Sequence, residues 1–211
     1  MRKGSARRAR SAGQVGGPDG GREGAVVGAD DIRGRRIGPD EGMLLRRLRL
    51  AALTDAPSAF WQTLAEASAL PAEEWDARAR AGAYSSADLV AIVAVAGEAA
   101  GMVQGFTPVG RPWLRELGAM WVAPEARGTG AADTLLATAI DWARQAGAEA
   151  VKLWVVPGNR PARRLYARHG FLVLGGPKPV TDDPTVKVFV PMLLPLYPAR
   201  PPPPADSPRF G

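Results

Sequence analysis

Residues 121–132 read WVAPEARGTGAA, a stretch in which a strand end, a turn and a helix start follow one another closely. The apolar pattern predicts that the strand ends at Val122 and that a helix begins near Gly130. A helix N-terminus carries unpaired N–H groups and the positive end of the helix dipole, and both attract phosphate. Glycines let the backbone approach such a ligand, and Arg127 adds a cation. On this chemistry alone, an anion-binding turn and an ordinary glycine-rich turn are equally well supported.

Two common nucleotide-binding motifs do not fit this turn. Gly128 and Gly130 lack the third glycine and the acidic partner that complete the dinucleotide-binding fingerprint. No Lys-Ser or Lys-Thr pair follows the glycines, as a P-loop would require. The stretch therefore belongs to neither class.

A second segment lies one predicted strand later, where residues 159–171 read NRPARRLYARHGF. The two segments together resemble the GCN5-related N-acetyltransferase (GNAT) family, bacterial type. Arg127-x-x-Gly130-x-Ala132 matches the Arg/Gln-x-x-Gly-x-Gly/Ala coenzyme A motif of that family, and residues 159–171 match its N-x-x-A-x-x-L-Y-x-x-x-G-F motif. The resemblance covers residues 30–191 and includes the segment DAPSAF at residues 55–60.

The order of predicted elements is independent of this resemblance and agrees with it. The longest strands are predicted at Leu89–Ala96, Gly101–Val109 and Trp113–Val122. A tight turn at Gly97 joins the first two as a hairpin, and a helix that starts near Pro71 is predicted to stop at Gly82. The last strand is predicted at Val186–Pro191. This order predicts an α/β (α+β) fold with a mixed sheet.

The resemblance implies a more specific fold and an activity. It implies a mostly antiparallel sheet of six to seven strands flanked by helices, as in GNAT proteins. The strand that ends at Val122 would splay away from the strand at residues 151–156. The implied activity is acetyl transfer from acetyl-CoA, used as a cosubstrate, to a small-molecule or protein amine by direct attack in a ternary complex. A noncatalytic acyl-CoA sensor with the same fold is the alternative.

The resemblance also assigns the site residues. The pyrophosphate of acetyl-CoA would bind beside Arg127, on the backbone amides of Gly128, Thr129, Gly130, Ala131 and Ala132. The strand backbone at Trp121 and Val122 would pair with the pantetheine arm and polarise the thioester carbonyl. Asn159 would bind the same arm, and Tyr166 would protonate the leaving thiolate, although a packing role for Tyr166 stays open.

Glu116 is the candidate base. An amine with a pKa of about 10 is mostly protonated at neutral pH, so transfer needs a proton acceptor or a water chain. Strand alternation predicts that Glu116 shares a face with Val122, and its spacing from Arg127 resembles that of the base glutamate in histone-type family members. A water chain, or a surface glutamate paired with Arg111 or Arg115, remains open.

Other polar and aromatic side chains carry weaker expectations. His169 is expected to interact with the C-terminal dipole of its helix. Alternation predicts that Trp121 and Trp154 pack against a helix. By resemblance, the aromatic residues of the early helices wall the acceptor site, namely Phe60, Trp61 and Trp75. Asp182 and Asp183 would meet a cationic acceptor or form a solvated turn.

Composition excludes several chemistries. The chain of 211 residues contains no cysteine and one histidine. These counts exclude disulfides, thiolate zinc sites, iron–sulfur clusters, a cysteine nucleophile and multi-histidine metal sites. No apolar run approaches the length of a membrane span and no secretory signal is recognisable, so a cytoplasmic protein is expected. A homodimer stays an open alternative.

The net charge of +6 lies mainly in the predicted tails. Residues 1–29 form a basic tail rich in glycine and arginine, and residues 192–211 form a proline-rich tail. Both have too little apolar surface to offset the entropy of ordering and are predicted to be disordered, which leaves residues 30–191 as the acetyltransferase domain. A nucleic-acid role for the basic tail is a rival hypothesis, but no aromatic residues or binding module accompany it.

Overall fold

The structure is a computed structural model, and it describes residues 31–179 and 187–196. The predicted tail 1–29, most of the predicted tail 192–211, and Asp182 and Asp183 lie outside the described residues. The strands are β1 (Ile32–Arg36), β2 (Asp88–Val95), β3 (Glu98–Phe106), β4 (Leu114–Val122), β5 (Ala150–Val155), β6 (Leu172–Val173), β7 (Lys178–Pro179) and β8 (Val188–Pro195). The helices are α1 (Gly42–Asp55), α2 (Leu64–Ser68), α3 (Ala72–Tyr84), α4 (Ala131–Gln145) and α5 (Arg160–Arg168).

The strands form one mixed sheet in the order β1-β2-β3-β4-β5-β8-β6, and β7 pairs with β8. Only β4 and β5 pair in parallel, whereas the other neighbouring strands are antiparallel. The predicted fold class is therefore confirmed. The sheet has eight strands in the described part of the chain, because the two-residue strands β6 and β7 add to the longer ones.

Helices cover both faces of the sheet. A Cβ at Gly34 or Gly105 would touch Thr138 or Trp142 of α4, so these glycines let α4 lie close to one face. The opposite face packs against α1 and α3. Together these contacts bury a single hydrophobic core. No helix in residues 31–179 or 187–196 is long and apolar enough to cross a membrane.

A β-bulge interrupts the regular alternation of β4. Gln104 pairs with Gly118 and Met102 pairs with Trp121, so two residues of β4 lie opposite one residue of β3. Ala119 has a φ of 52°, which is the local distortion at this bulge. The extra residue reverses the faces of the residues that follow. Glu116 and Val122 therefore lie on opposite faces, and the prediction that they share a face is wrong.

The same strand separates from β5 beyond the bulge. Parallel pairing joins Leu114 to Ala150 and ends where Leu117 pairs with Leu153. Residues 118–122 of β4 have no partner in β5, and this opening is the predicted splay. The backbone of this part of β4 is thus available to a ligand on its β5 side.

Two predicted boundaries are corrected by packing. The helix predicted to stop at Gly82 continues to Tyr84, because Gly82 serves as a contact point in α3, where a Cβ would lie 2.6 Å from Cγ2 of Val90. The last strand continues past the predicted domain boundary at residue 191 to Pro195. It does so because Met192 and Leu194 are buried in the core.

Candidate active site

Three cavities adjoin one another at the opening between β4 and β5. The first has a volume of about 390 Å³ and lies beside the start of α4. The second is a small space of about 60 Å³ at the opening itself, and the third has a volume of about 290 Å³ and contacts Glu116. Phe60 lines all three cavities, so they lie side by side in the fold.

Most of the predicted site residues meet at the first cavity. Its lining includes Trp121, Val122, Arg127, Gly128, Ala132, Asn159 and Tyr166. Thr129, Gly130 and Ala131 form the turn and the helix start next to it. Glu116 lines the third cavity and not the first.

The start of α4 has the backbone that a phosphate site requires. Gly128 and Gly130 have φ values of 82° and 102°, in a region that favours glycine. Gly130 is the N-cap residue and makes no side-chain cap, so the first-turn N–H groups lack partners within the helix. The Thr129 hydroxyl donates to the Ala126 carbonyl at 2.8 Å and accepts a longer bond of 3.3 Å from the Ala131 N–H. The remaining amides of this turn can bind an anion.

Three arginines line the same cavity, Arg127, Arg164 and Arg168, of which Arg127 pairs with Asp55 and Arg168 pairs with Asp133. The position of Arg127 is fixed from two sides. Its Nε donates to the Val122 carbonyl at 3.1 Å, and its Nη2 forms an ion pair with Asp55 at the end of α1. The cavity is therefore suited to an anionic ligand.

Asp55 connects α1 to the cavity, and sequence reasoning did not assign it a role. Its Oδ2 accepts a hydrogen bond of 2.9 Å from Nε1 of Trp121. This bond and the neighbouring Arg127 guanidinium hold the pKa of the Asp55 carboxyl below its usual range. The only sequence signal for Asp55 is that it begins the segment DAPSAF.

Asp55→Asn is expected to lower the melting temperature (Tm) by about 1–3 °C at neutral pH, the size of a partly exposed ion pair. Because the pKa of Asp55 is lowered by folding, its contribution is complete at neutral pH and is lost as the pH falls below about 4. Asparagine keeps an acceptor for Trp121 but carries no charge. The difference in Tm between wild type and variant, followed by scanning fluorimetry, should therefore shrink on acidification. A difference that stays constant down to pH 3 would contradict this assignment.

Tyr166 and Asn159 lie where the first and second cavities adjoin, because both side chains line both spaces. Asn159 caps α5, since its Oδ1 accepts from the Ala162 N–H at 3.1 Å. The Tyr166 hydroxyl donates to Sδ of Met120 at 3.6 Å, which is a weak contact. Burial raises the pKa of Tyr166 to about 12, so its hydroxyl stays protonated and remains a hydrogen-bond donor near the opening.

Glu116 is held in the third cavity by two neighbours on β5. Nε1 of Trp154 donates to its Oε1 at 2.8 Å, and Nζ of Lys152 lies 3.4 Å from its Oε2. The Glu116 side chain is 13% exposed, so it is not a surface glutamate. The alternative pairing with Arg115 does not occur, because the Arg115 guanidinium donates to backbone carbonyls instead.

The aromatic residues predicted near the site lie in different surroundings, some in the cavities and some in the core. Trp154 does not pack against a helix as predicted, because its indole contacts Glu116 and the Lys152 ammonium. Trp75 is fully buried in α3 and is a core residue, so the prediction that it walls the acceptor site is wrong. Phe60 and Trp61 do line the third cavity. His169 ends α5, and its Nε2 lies 2.9 Å from Oδ1 of Asp133.

The sequence and fold around this site match a known protein family. The sequence model of the acetyltransferase (GNAT) family matches residues 50–171, which is more than half of the chain. The chain belongs to the GNAT family. It is thus an acyltransferase, and the cosubstrate of GNAT enzymes is acetyl-CoA. A search of curated proteins found no match.

Solved structures of other GNAT proteins share the fold. A GCN5-related N-acetyltransferase from Kribbella flavida is 22% identical, with a TM-score of 0.63 over 80% of this chain and 100% of its own. The acetyltransferase yncA from Salmonella typhimurium, solved with acetyl-CoA as its cofactor, is 19% identical, with a TM-score of 0.64 over 82% of this chain and 99% of its own. A ribosomal-protein-alanine N-acetyltransferase from Brucella melitensis is 24% identical, with a TM-score of 0.61 over 77% of this chain and 99% of its own.

Proposed function

We propose that this GNAT protein moves the acetyl group of acetyl-CoA to the nitrogen of a primary amine by direct attack in a ternary complex. The observation that carries the proposal is the row of adjoining cavities at the opening between β4 and β5. Arginines and glycines line one end, Tyr166 lines the middle, and Glu116 lines the other end. A phosphate-bearing thioester would occupy the arginine end, an amine would occupy the Glu116 end, and the two would meet beside Tyr166.

The first cavity fits the phosphate end of acetyl-CoA. The unpaired amides in the first turn of α4 would hold the pyrophosphate, and Arg127 would add its positive charge. The unpaired residues 118–122 of β4 have backbone groups that can bond to an extended arm. An amide in this stretch, near Val122, would polarise the carbonyl group that receives the attack. Acetyl-CoA itself supplies the acetyl thioester.

Tyr166 and Glu116 would handle the two protons of the reaction. The amine nitrogen forms a bond to the acetyl carbon, and the carbon–sulfur bond breaks. Glu116 takes the proton that the amine loses, directly or through water. Tyr166 donates its proton, or a strong hydrogen bond, to the sulfur that leaves. Direct transfer is supported by the sequence, because a chain without cysteine has no thiol to carry the acetyl group.

The proposal is tested by measuring thiol release from acetyl-CoA with a panel of amines that includes amino acids, polyamines, lysine-containing peptides and peptides with free N-termini. We expect acceptor-dependent release and a mass gain of one acetyl group on the acceptor. Saturable binding of acetyl-CoA without release on any amine would favour the noncatalytic sensor.

Gly130→Val is expected to abolish the rise in Tm that acetyl-CoA causes. A Cβ at Gly130 would lie 3.6 Å from Cδ1 of Ile32 in β1, and a branched side chain is strained at a φ of 102°, so the substitution would displace the turn that positions the first amides of α4. Gly110→Val is the matched control, because Gly110 also has a positive φ of 73° but lies in the loop between β3 and β4, outside the turn that begins α4. Scanning fluorimetry with each variant compared to its own ligand-free Tm separates strain from binding. A folded Gly130→Val protein with an unchanged acetyl-CoA response would contradict the phosphate assignment.

A further inference from the structure

Arg49 is a buried cation in the wall of the third cavity. It lies on α1 and is 7% exposed. Its Nε donates to Oε1 of Gln62 at 3.2 Å, and its guanidinium stacks over the Phe60 ring at 4.7 Å. Neither contact neutralises the charge. No role for Arg49 was assigned from the sequence, so its burial is a finding of the structure.

No anion balances this charge within the described residues. None of the ion pairs in that part of the chain includes Arg49, and its Nη1 is buried without a hydrogen-bond acceptor. Burial, together with the charge of a second cation, Arg78, lowers the pKa of Arg49 to about 10. A buried charge without a partner is costly, so a site of this kind is suited to an anionic ligand.

The other residues of the cavity narrow the chemistry of that ligand. Glu116 lines the same cavity and favours a cationic group, such as the ammonium of an acceptor amine. Aromatic side chains cover much of the remaining wall, namely Phe60, Trp61, Phe106, Trp154 and Phe189. The volume of about 290 Å³ lies at the lower end of the range for small-molecule sites. A ligand that fits this cavity would therefore carry a carboxylate for Arg49, an amine for Glu116 and an apolar group for the aromatic wall.

We propose that the acceptor is an α-amino acid with an apolar or aromatic side chain, whose carboxylate binds Arg49 while its amine lies beside Glu116. This inference rests on the proposed acetyl transfer to an amine. Binding of a carboxylate by Arg49 would distinguish a free amino acid from the N-terminus of a peptide, because the residue at a peptide N-terminus has an amide in place of the carboxylate. The Arg49 guanidinium is well suited to this role, since it can donate two hydrogen bonds to one carboxylate.

The test uses four amino acids and their amides as acceptors for the full chain: leucine, methionine, phenylalanine and tryptophan. We expect at least one amino acid to be acetylated with a kcat/KM about 10-fold or more above that of its amide. The amine of the amide is the less basic of the two, which favours the amide at neutral pH and makes the expected preference more informative. Equal or better use of all four amides would overturn the inference and favour a peptide N-terminus.

Arg49→Met removes the charge and keeps a long side chain, and Arg47→Met is the matched control, because Arg47 is exposed on the same helix. We expect Arg49→Met to lower kcat/KM for the preferred amino acid by about 100-fold, mainly through KM, and to change the value for its amide by less than about 3-fold. Arg49→Lys should restore part of the preference. If Arg49→Met lowers both values equally, or weakens the acetyl-CoA response in Tm, its role is structural and the inference is wrong.

A binding measurement keeps this inference separate from the proposed function. The probes are the N-acetyl derivatives of the four amino acids and of their amides, titrated into the CoA-saturated protein. If the wild type binds an N-acetyl amino acid more tightly than its amide, but no amine gives thiol release, carboxylate recognition stands and the catalytic proposal fails. If amines are acetylated with no preference for a carboxylate, the catalytic proposal stands and this inference fails.

Discussion

Glu116→Gln is expected to lower kcat/KM for the acceptor amine by about 10²–10⁴-fold, the usual size of a lost general base. Glutamine has nearly the same shape, and its carbonyl oxygen can still accept the hydrogen bond from Nε1 of Trp154. It cannot take a proton. The packing of the third cavity should therefore survive while the proton transfer is lost.

The measurement is kcat/KM for the best acceptor as a function of pH, by thiol release. The acceptor amine loses its own proton as the pH rises, so kcat/KM should increase with pH in both proteins, and the variant should stay below the wild type by the expected factor at every pH. Glu125→Gln is the control, because Glu125 is exposed and lies outside the third cavity. A variant at Glu116 that keeps most of the activity would show that a water chain accepts the proton.

Tyr166→Phe is expected to lower kcat by about 10²-fold or more while the affinity for acetyl-CoA changes little. The phenylalanine ring can keep the contact with Phe171, whose ring centroid lies 5.8 Å away. The only hydrogen bond lost among the described residues is the weak one to Met120. The hydroxyl therefore contributes little to stability, and its removal should act on the chemical step.

This prediction is checked by measuring kcat together with a direct titration of acetyl-CoA. Tyr84→Phe serves as the control, because Tyr84 is 75% exposed at the end of α3. A large loss of acetyl-CoA affinity, or a fall in Tm of the size of a core defect, would indicate a packing role for Tyr166. Unchanged kcat would mean that another group assists the leaving thiolate.

The parts of the fold that depend on local sequence could be predicted. The tight turn at Gly97, the helix start after Gly130 and the cap at Asn159 each depend on a few neighbouring residues. The face of Glu116 could not be predicted, because the alternation rule assumes a regular strand and Ala119 gives no signal of a bulge. The predicted helix end at Gly82 was wrong for a related reason. A glycine can either end a helix or permit close packing, and only the tertiary contact with Val90 shows which role Gly82 has.

The candidate site likewise has parts that could be predicted from local sequence and parts that could not. The glycine turn and the segment with Asn159 and Tyr166 are continuous stretches, so their pattern is visible in the sequence. The partners that shape the site lie far away along the chain: Asp55 meets Arg127 across 72 positions, and Trp154 meets Glu116 across 38. Arg49 lies four residues after Leu45 and four before Leu53, so helical spacing places it on the buried face of α1, but nothing local shows which distant residues it meets there.

Acetyl-CoA is expected to bind in the cavity beside the start of α4. Calorimetric titration of acetyl-CoA into the full chain, repeated with the Gly130→Val and Gly110→Val variants, measures this binding. We expect saturable binding at one site per chain, competition by CoA, and loss of binding in Gly130→Val alone. No saturable binding to the wild type at millimolar acetyl-CoA, or equal binding by the wild type and both variants, would contradict this expectation.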